Sequence, residues 1–74
     1  MWTNYIVKPF EGSNTGTHRI KQAALEDAQH RAIANPGETM TVYRAKHYPT
    51  KHEIDLINIV TYWFDETINK LQYI

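Results

Sequence analysis

TKHEIDLINIVTYWFDETINKL, residues 50–71, is the stretch whose reading decides the fold. At about 100° per residue on a helical wheel, Leu56, Ile57, Val60, Phe64, Ile68 and Leu71 fall on one stripe. Ile59 and Trp63 lie past one shoulder of that stripe and Ile54 past the other, leaving Asp55, Asn58, Tyr62, Asp65, Glu66 and Asn69 as the polar strip. Thr50 and Glu53 have capping-box spacing, in which the hydroxyl and the carboxylate satisfy each other's backbone donors. The cap and the recurrence of apolar residues at 57, 60, 64, 68 and 71 predict a long C-terminal helix, about 33 Å at 1.5 Å per residue. The competing reading is a strand, because residues 57–64 are rich in Ile, Val, Thr, Tyr, Trp and Phe. A strand would carry apolar side chains on both faces and would need burial on both.

Upstream, Thr3–Pro9 contains the β-prone run Tyr5, Ile6, Val7 and predicts a first strand. EGSNTGT, residues 11–17, is turn-forming, and residues 17–22 predict a weaker second strand. Residues 24–35 predict a helix with Leu25, Ala28 and Ala32 on one face, and Pro36-Gly37 stops it. Residues 38–46 predict a third strand with Met40, Val42 and Tyr43 as its apolar members. The expected fold is therefore α+β in the order β-β-α-β-α: a small three-stranded sheet, two helices and a long C-terminal helix, in a single domain spanning residues 1–74.

Composition bounds the function. Seventy-four residues bury roughly 60% of their unfolded surface, so the core is small. The absence of cysteine removes disulfides and thiolate metal ligands and fits a reducing cytoplasm, with no targeting segment in MWTNYIVKPF and no apolar run long enough to span a bilayer. Net charge is zero but unevenly placed: residues 1–52 carry seven basic against four acidic side chains, and residues 53–74 one against four. Overall neutrality opposes sequence-independent nucleic-acid binding, which rests on a lysine and arginine excess.

Catalytic and metal patterns are missing. His18, His30, His47 and His52 have no ligand spacing, GSNTGT lacks the Gly-Lys step of a phosphate loop, and Ser13 has no nucleophile-elbow glycines around it. Glu26-Asp27 and Asp65-Glu66 are adjacent pairs, which diverge on a helix. The expectation is a non-enzyme with no cofactor and no metal. Aromatics are the more telling class. On a helix the consecutive Tyr62, Trp63 and Phe64 span too much surface to enter one core, and Trp and Tyr dominate interface hot spots. The expected protein interface is Asp55, Ile59, Tyr62, Trp63 and Glu66. A secondary nucleic-acid surface would be Arg19, Lys21, Arg44 and Lys46, beside Tyr5 and Tyr43 on the sheet.

The segment LEDAQHRAIANPGETMTVYR, residues 25–44, resembles the helix-then-strand unit of very small phage-encoded accessory proteins. Such chains are short, cysteine-poor and single-domain, and some bind and block a host enzyme or defence complex. The resemblance implies a stoichiometric inhibitor or modulator of a host protein, anti-defence proteins included, in the host cell cytoplasm. It carries no site residues. The leading expectation is thus a protein-binding module acting by surface occlusion through the C-terminal helix. The alternatives are a small nucleic-acid-binding protein using a basic sheet face and a structural homodimer.

Overall fold

The computed structural model describes all residues, Met1–Ile74. Its elements are β1 (Trp2–Pro9), β2 (Gly16–His18), α1 (Lys21–Ala34), β3 (Met40–Tyr48), β4 (Glu53–Asp65) and β5 (Lys70–Tyr73). The five strands form one antiparallel sheet in the order β2-β1-β3-β4-β5, with α1 across one face. No helix is long and apolar enough to cross a membrane.

This corrects the expected fold. There are five strands and one helix, and residues 50–71 form a β-hairpin in place of the long C-terminal helix. The physical reason lies in two short loops. Residues 66–69 turn through an Asx bond, Thr67 N–H to Asp65 Oδ1 at 2.9 Å, and through Asn69 at φ 54. Asn tolerates that left-handed backbone, and it ends the turn where β5 begins. The Thr50–Glu53 pair caps nothing. Lys51 and His52 N–H both donate to Tyr48 O, and His52 takes φ 51, closing the β3–β4 loop. With both turns in place, the β-branched and aromatic residues between them extend.

The helix is held closely. Ala24, Ala28 and Ala32, one every four residues, are fully buried, so the backbone of α1 approaches the sheet without intervening bulk. Val7, Met40, Val42 and Tyr62 face it, with Tyr5, Leu25, Ile59, Val60 and Leu71 around them. The helix starts three residues earlier than expected, so Glu26 and Asp27 are not in its first turn. Asn35 terminates it, with side-chain and backbone N–H groups both donating to Arg31 O.

A bulge interrupts β4. Val42 pairs with Val60 and Tyr43 with Asn58, leaving Ile59 as the extra residue. At such a bulge two successive side chains share one face, which is why Ile59 and Val60 both pack toward the core. Beyond the bulge, the sheet runs on past the helix as a three-stranded arm of Trp2–Asn4, Ala45–Tyr48 and Glu53–Ile57. The molecule is correspondingly elongated, 48 × 23 × 18 Å.

Candidate functional site

The expected interface does not assemble. Tyr62 is a core residue, 8% exposed, and its hydroxyl accepts from Gln29 Nε2 at 3.0 Å. Ile59 also packs against the core. Trp63 points to the opposite face, Glu66 sits in the β4–β5 turn, and Asp55 lies out on the arm. Five residues that a helix would have grouped are divided by the pleat.

The basic set fares little better. Arg19 and Lys21 are exposed around the helix start, while Arg44 and Lys46 lie on β3, opposite Ile57 and Asp55. None of the four forms an ion pair, and Arg44 Nε is buried without a partner. The β4 row beside them is acidic, with Glu53 across from Tyr48 and Asp55 across from Lys46. Tyr48 is held above the ordinary tyrosine value by its hydrogen bond to Asp55, aided by desolvation and by the charges of Asp55 and Glu53. Such a mixed surface gives no continuous positive track for a phosphate backbone.

What the pleat does bring together is an apolar grid on the sheet face away from α1. Three rows cross β1, β3 and β4 in register: Trp2–His47–Ile54, Asn4–Ala45–Leu56 and Ile6–Tyr43–Asn58. Trp2, Ile54 and Leu56 are 55%, 54% and 56% exposed. The Trp2 and His47 rings stack at 3.7 Å between centroids and 5° between planes. His47 Nε2 in turn donates to Asn4 Oδ1 at 2.7 Å. That chain of contacts orders the indole although no second layer covers it. With strands about 4.8 Å apart and rows about 6.7 Å apart, the grid measures roughly 300 Å². Asn4, His47 and Asn58 are polar and Asn4 and Ala45 are buried, so the exposed apolar part of that footprint is Trp2, Ile54 and Leu56, and contiguous exposed apolar side chains of this kind commonly mark an interaction site. The next row, Lys8–Thr41–Thr61, is polar, and the two threonine hydroxyls bond at 3.0 Å, giving the grid a border.

Sequence reasoning missed Trp2, His47, Ile54 and Leu56 as one surface. The available signal was the alternation Ile54, Leu56, Asn58, which a helical wheel scatters and a pleat collects.

Two other features gather polar groups or open space. On the opposite side, His18 Nε2 stands 2.7 Å from Asp27 Oδ2, and Arg31 Nε donates to Asp27 Oδ1 at 2.8 Å while its Nη1 donates to Asn14 O at 2.7 Å. Partial burial raises the Asp27 carboxyl, but the His18 and Arg31 hydrogen bonds and charges outweigh it and hold it below its ordinary value. No hydroxyl bonds to His18 in the way a nucleophile would. The cluster instead clips the short edge strand β2 to α1, and Gly16 leaves room for it: a Cβ there would lie 2.5 Å from Asp27 Oδ2 and 2.8 Å from Arg31 Nη2. Second, an open hollow of about 430 Å³ is lined by Phe10, Glu11, Gly37, Glu38 and Thr39. It offers a single apolar side chain and no convergent set of polar groups. No three His, Asp or Glu side chains are grouped to hold a metal ion.

Against known protein families, curated proteins and solved structures, the chain finds no match.

Proposed function

We propose that this chain is a protein-binding module that occludes an apolar surface of another protein with the open face of its sheet. The observation that carries this reading is the grid itself: Trp2, Ile54 and Leu56, each more than half exposed, lie on adjacent rows of a rigid antiparallel sheet. An indole ordered by stacking loses little freedom on binding, which is the property of a hot-spot anchor. The polar border of Lys8, Thr41 and Thr61 has the character of an interface rim. The resemblance of residues 25–44 to phage accessory chains suggests a host protein as the partner and the host cytoplasm as the place, with the chain acting as a stoichiometric inhibitor or modulator.

The test uses the wild type and a Trp2→Ser, Ile54→Ser double variant as bait for host proteins. Both positions are more than half exposed, so the variant is expected to keep its far-UV circular dichroism. The reading expects a stoichiometric partner that the variant loses. It also expects the partner to slow hydrogen exchange along Trp2–Asn4 and Ile54–Asn58. A partner retained by the folded variant, or a footprint confined to α1, would overturn it.

A further inference from the structure

The arm of the sheet has a free backbone edge along β4. Phe10 N–H donates to Thr39 O, which marks the even-numbered residues of β1 as the ones bonded to β3. The register of the sheet then assigns Tyr43, Ala45 and His47 to β1, and Arg44, Lys46 and Tyr48 to β4. Glu53, Asp55 and Ile57 are the β4 residues opposite those three, so their backbone groups point inward. The backbone groups of Ile54, Leu56 and Asn58 point outward. Strand β5 pairs only with Tyr62–Asp65, and Thr61 exchanges its bonds with Ile74, so the outward groups of 54, 56 and 58 have no partner. The hairpin loop bounds this free edge on one side and the Ile59 bulge on the other.

We propose that two copies of this chain pair antiparallel through that edge, with Leu56 facing its own copy across the twofold axis, to form one continuous ten-stranded sheet. Symmetry and charge select the register. A twofold axis normal to the sheet keeps like faces together and must lie midway between one residue and the same residue of the other copy. Centred on Asp55, it would set two carboxylates directly opposite each other, which is repulsive. Centred on Ile57, it would run Ile54 against the bulged segment and lose a bonded pair.

Centred on Leu56, it pairs Ile54 with Asn58, Leu56 with Leu56 and Asn58 with Ile54, so all three outward residues exchange both backbone bonds. On the helix face, Asp55 of one copy then meets Ile57 of the other, while its own Lys46 stands on its far side, and no like charges are opposed. On the open face, Ile54 and Leu56 of both copies become continuous. The two footprints join into roughly 600 Å² of open sheet face, with the exposed Ile54 and Leu56 of both copies at its centre. The pairing does not depend on the proposed host partner, and either can fail alone.

The chain has no cysteine, so single cysteine variants report the register directly. The test combines sedimentation of the wild type at increasing concentration with oxidation of Leu56→Cys, Asp55→Cys, Ile57→Cys and Glu66→Cys. The expected mass rises to twice 8.7 kDa. Leu56→Cys is expected to cross-link to itself, because directly opposed residues about 5.5 Å apart at Cα suit a disulfide. At micromolar protein it should outpace Glu66→Cys on the order of 1,000-fold, the ratio of millimolar local concentration to bulk. Asp55→Cys and Ile57→Cys should cross-link to one another when mixed, and each only slowly alone. A monomer at every concentration overturns the proposal. So does a dimer in which Leu56→Cys reacts no faster than Glu66→Cys.

Discussion

Truncating Tyr62 to alanine separates this fold from the helical alternative more sharply than any other single substitution. In the sheet, Tyr62 lies under α1, opposite Met40, with Gln29 bonded to its hydroxyl and Tyr73 tilted against its ring at 6.3 Å. On a C-terminal helix the same residue would occupy the polar strip. Burying an aromatic side chain removes about 150–250 Å² from water, about 4–6 kcal/mol at 25 cal/mol per Å². Measured aromatic-to-alanine losses run about 3–5 kcal/mol, so about 4 kcal/mol is expected. A chain of this length is stable by about 4–11 kcal/mol, so Tyr62→Ala brings it close to unfolding. Tyr62→Phe keeps the ring and loses only the Gln29 bond, for about 1 kcal/mol. Ile54→Ala, on the exposed arm, should cost under about 1 kcal/mol. Urea denaturation followed by circular dichroism measures all three. A Tyr62→Ala loss of less than about 1 kcal/mol, with Ile54→Ala the larger, would refute the placement of the core.

Asn69→Gly should change stability by no more than about 0.5 kcal/mol and Asn69→Val should lose about 1–2 kcal/mol, because only the left-handed backbone at φ 54 favours glycine; a helix at this position would rank the two the other way. Gly16→Ala should lose about 1 kcal/mol in thermal or urea unfolding by displacing Asp27 and Arg31, and far less when Asp27→Asn is already present. Because Asp27 is held below its ordinary value in the folded state, its contribution is complete above the usual carboxylate value of about 3.9 and fades as pH falls through it toward the folded value. Asp27→Asn should therefore cost about 1–2 kcal/mol near neutrality and flatten that acid limb, read by urea midpoints across pH.

Much of the first two thirds of the chain was readable because each signal there had one meaning. Tyr5, Ile6 and Val7 form a β-prone run, Ala28 and Ala32 repeat at helical spacing, and Pro36-Gly37 follows the helix end. The last third carried two periods at once. Ile57, Val60, Phe64 and Leu71 repeat as a helical stripe, yet in the sheet they also share the face toward α1. They do so because the Ile59 bulge shifts the pleat by one residue, which disguises strict alternation across Ile54–Phe64. The turn at residues 66–69 holds no glycine or proline, and its Asx bond and left-handed Asn69 resemble any polar helix segment in sequence.

The site was misread for the same reason. The objection that a strand would need burial on both faces was sound physics, and here the second face stays open. Exposed Ile54 and Leu56 are the remainder that a single alanine-lined helix cannot cover. That an apolar surplus resides in this stretch was legible; which residues share it depends on the pleat.

The most direct measurement is residue-resolved amide hydrogen exchange along β4 in dilute protein. The expected pattern alternates, with Glu53, Asp55 and Ile57 protected through their bonds to β3 and Ile54, Leu56 and Asn58 exchanging freely until a partner or a second copy takes the edge. Continuous protection from Leu56 to Leu71, as in a helix, or free exchange at all six positions would contradict it.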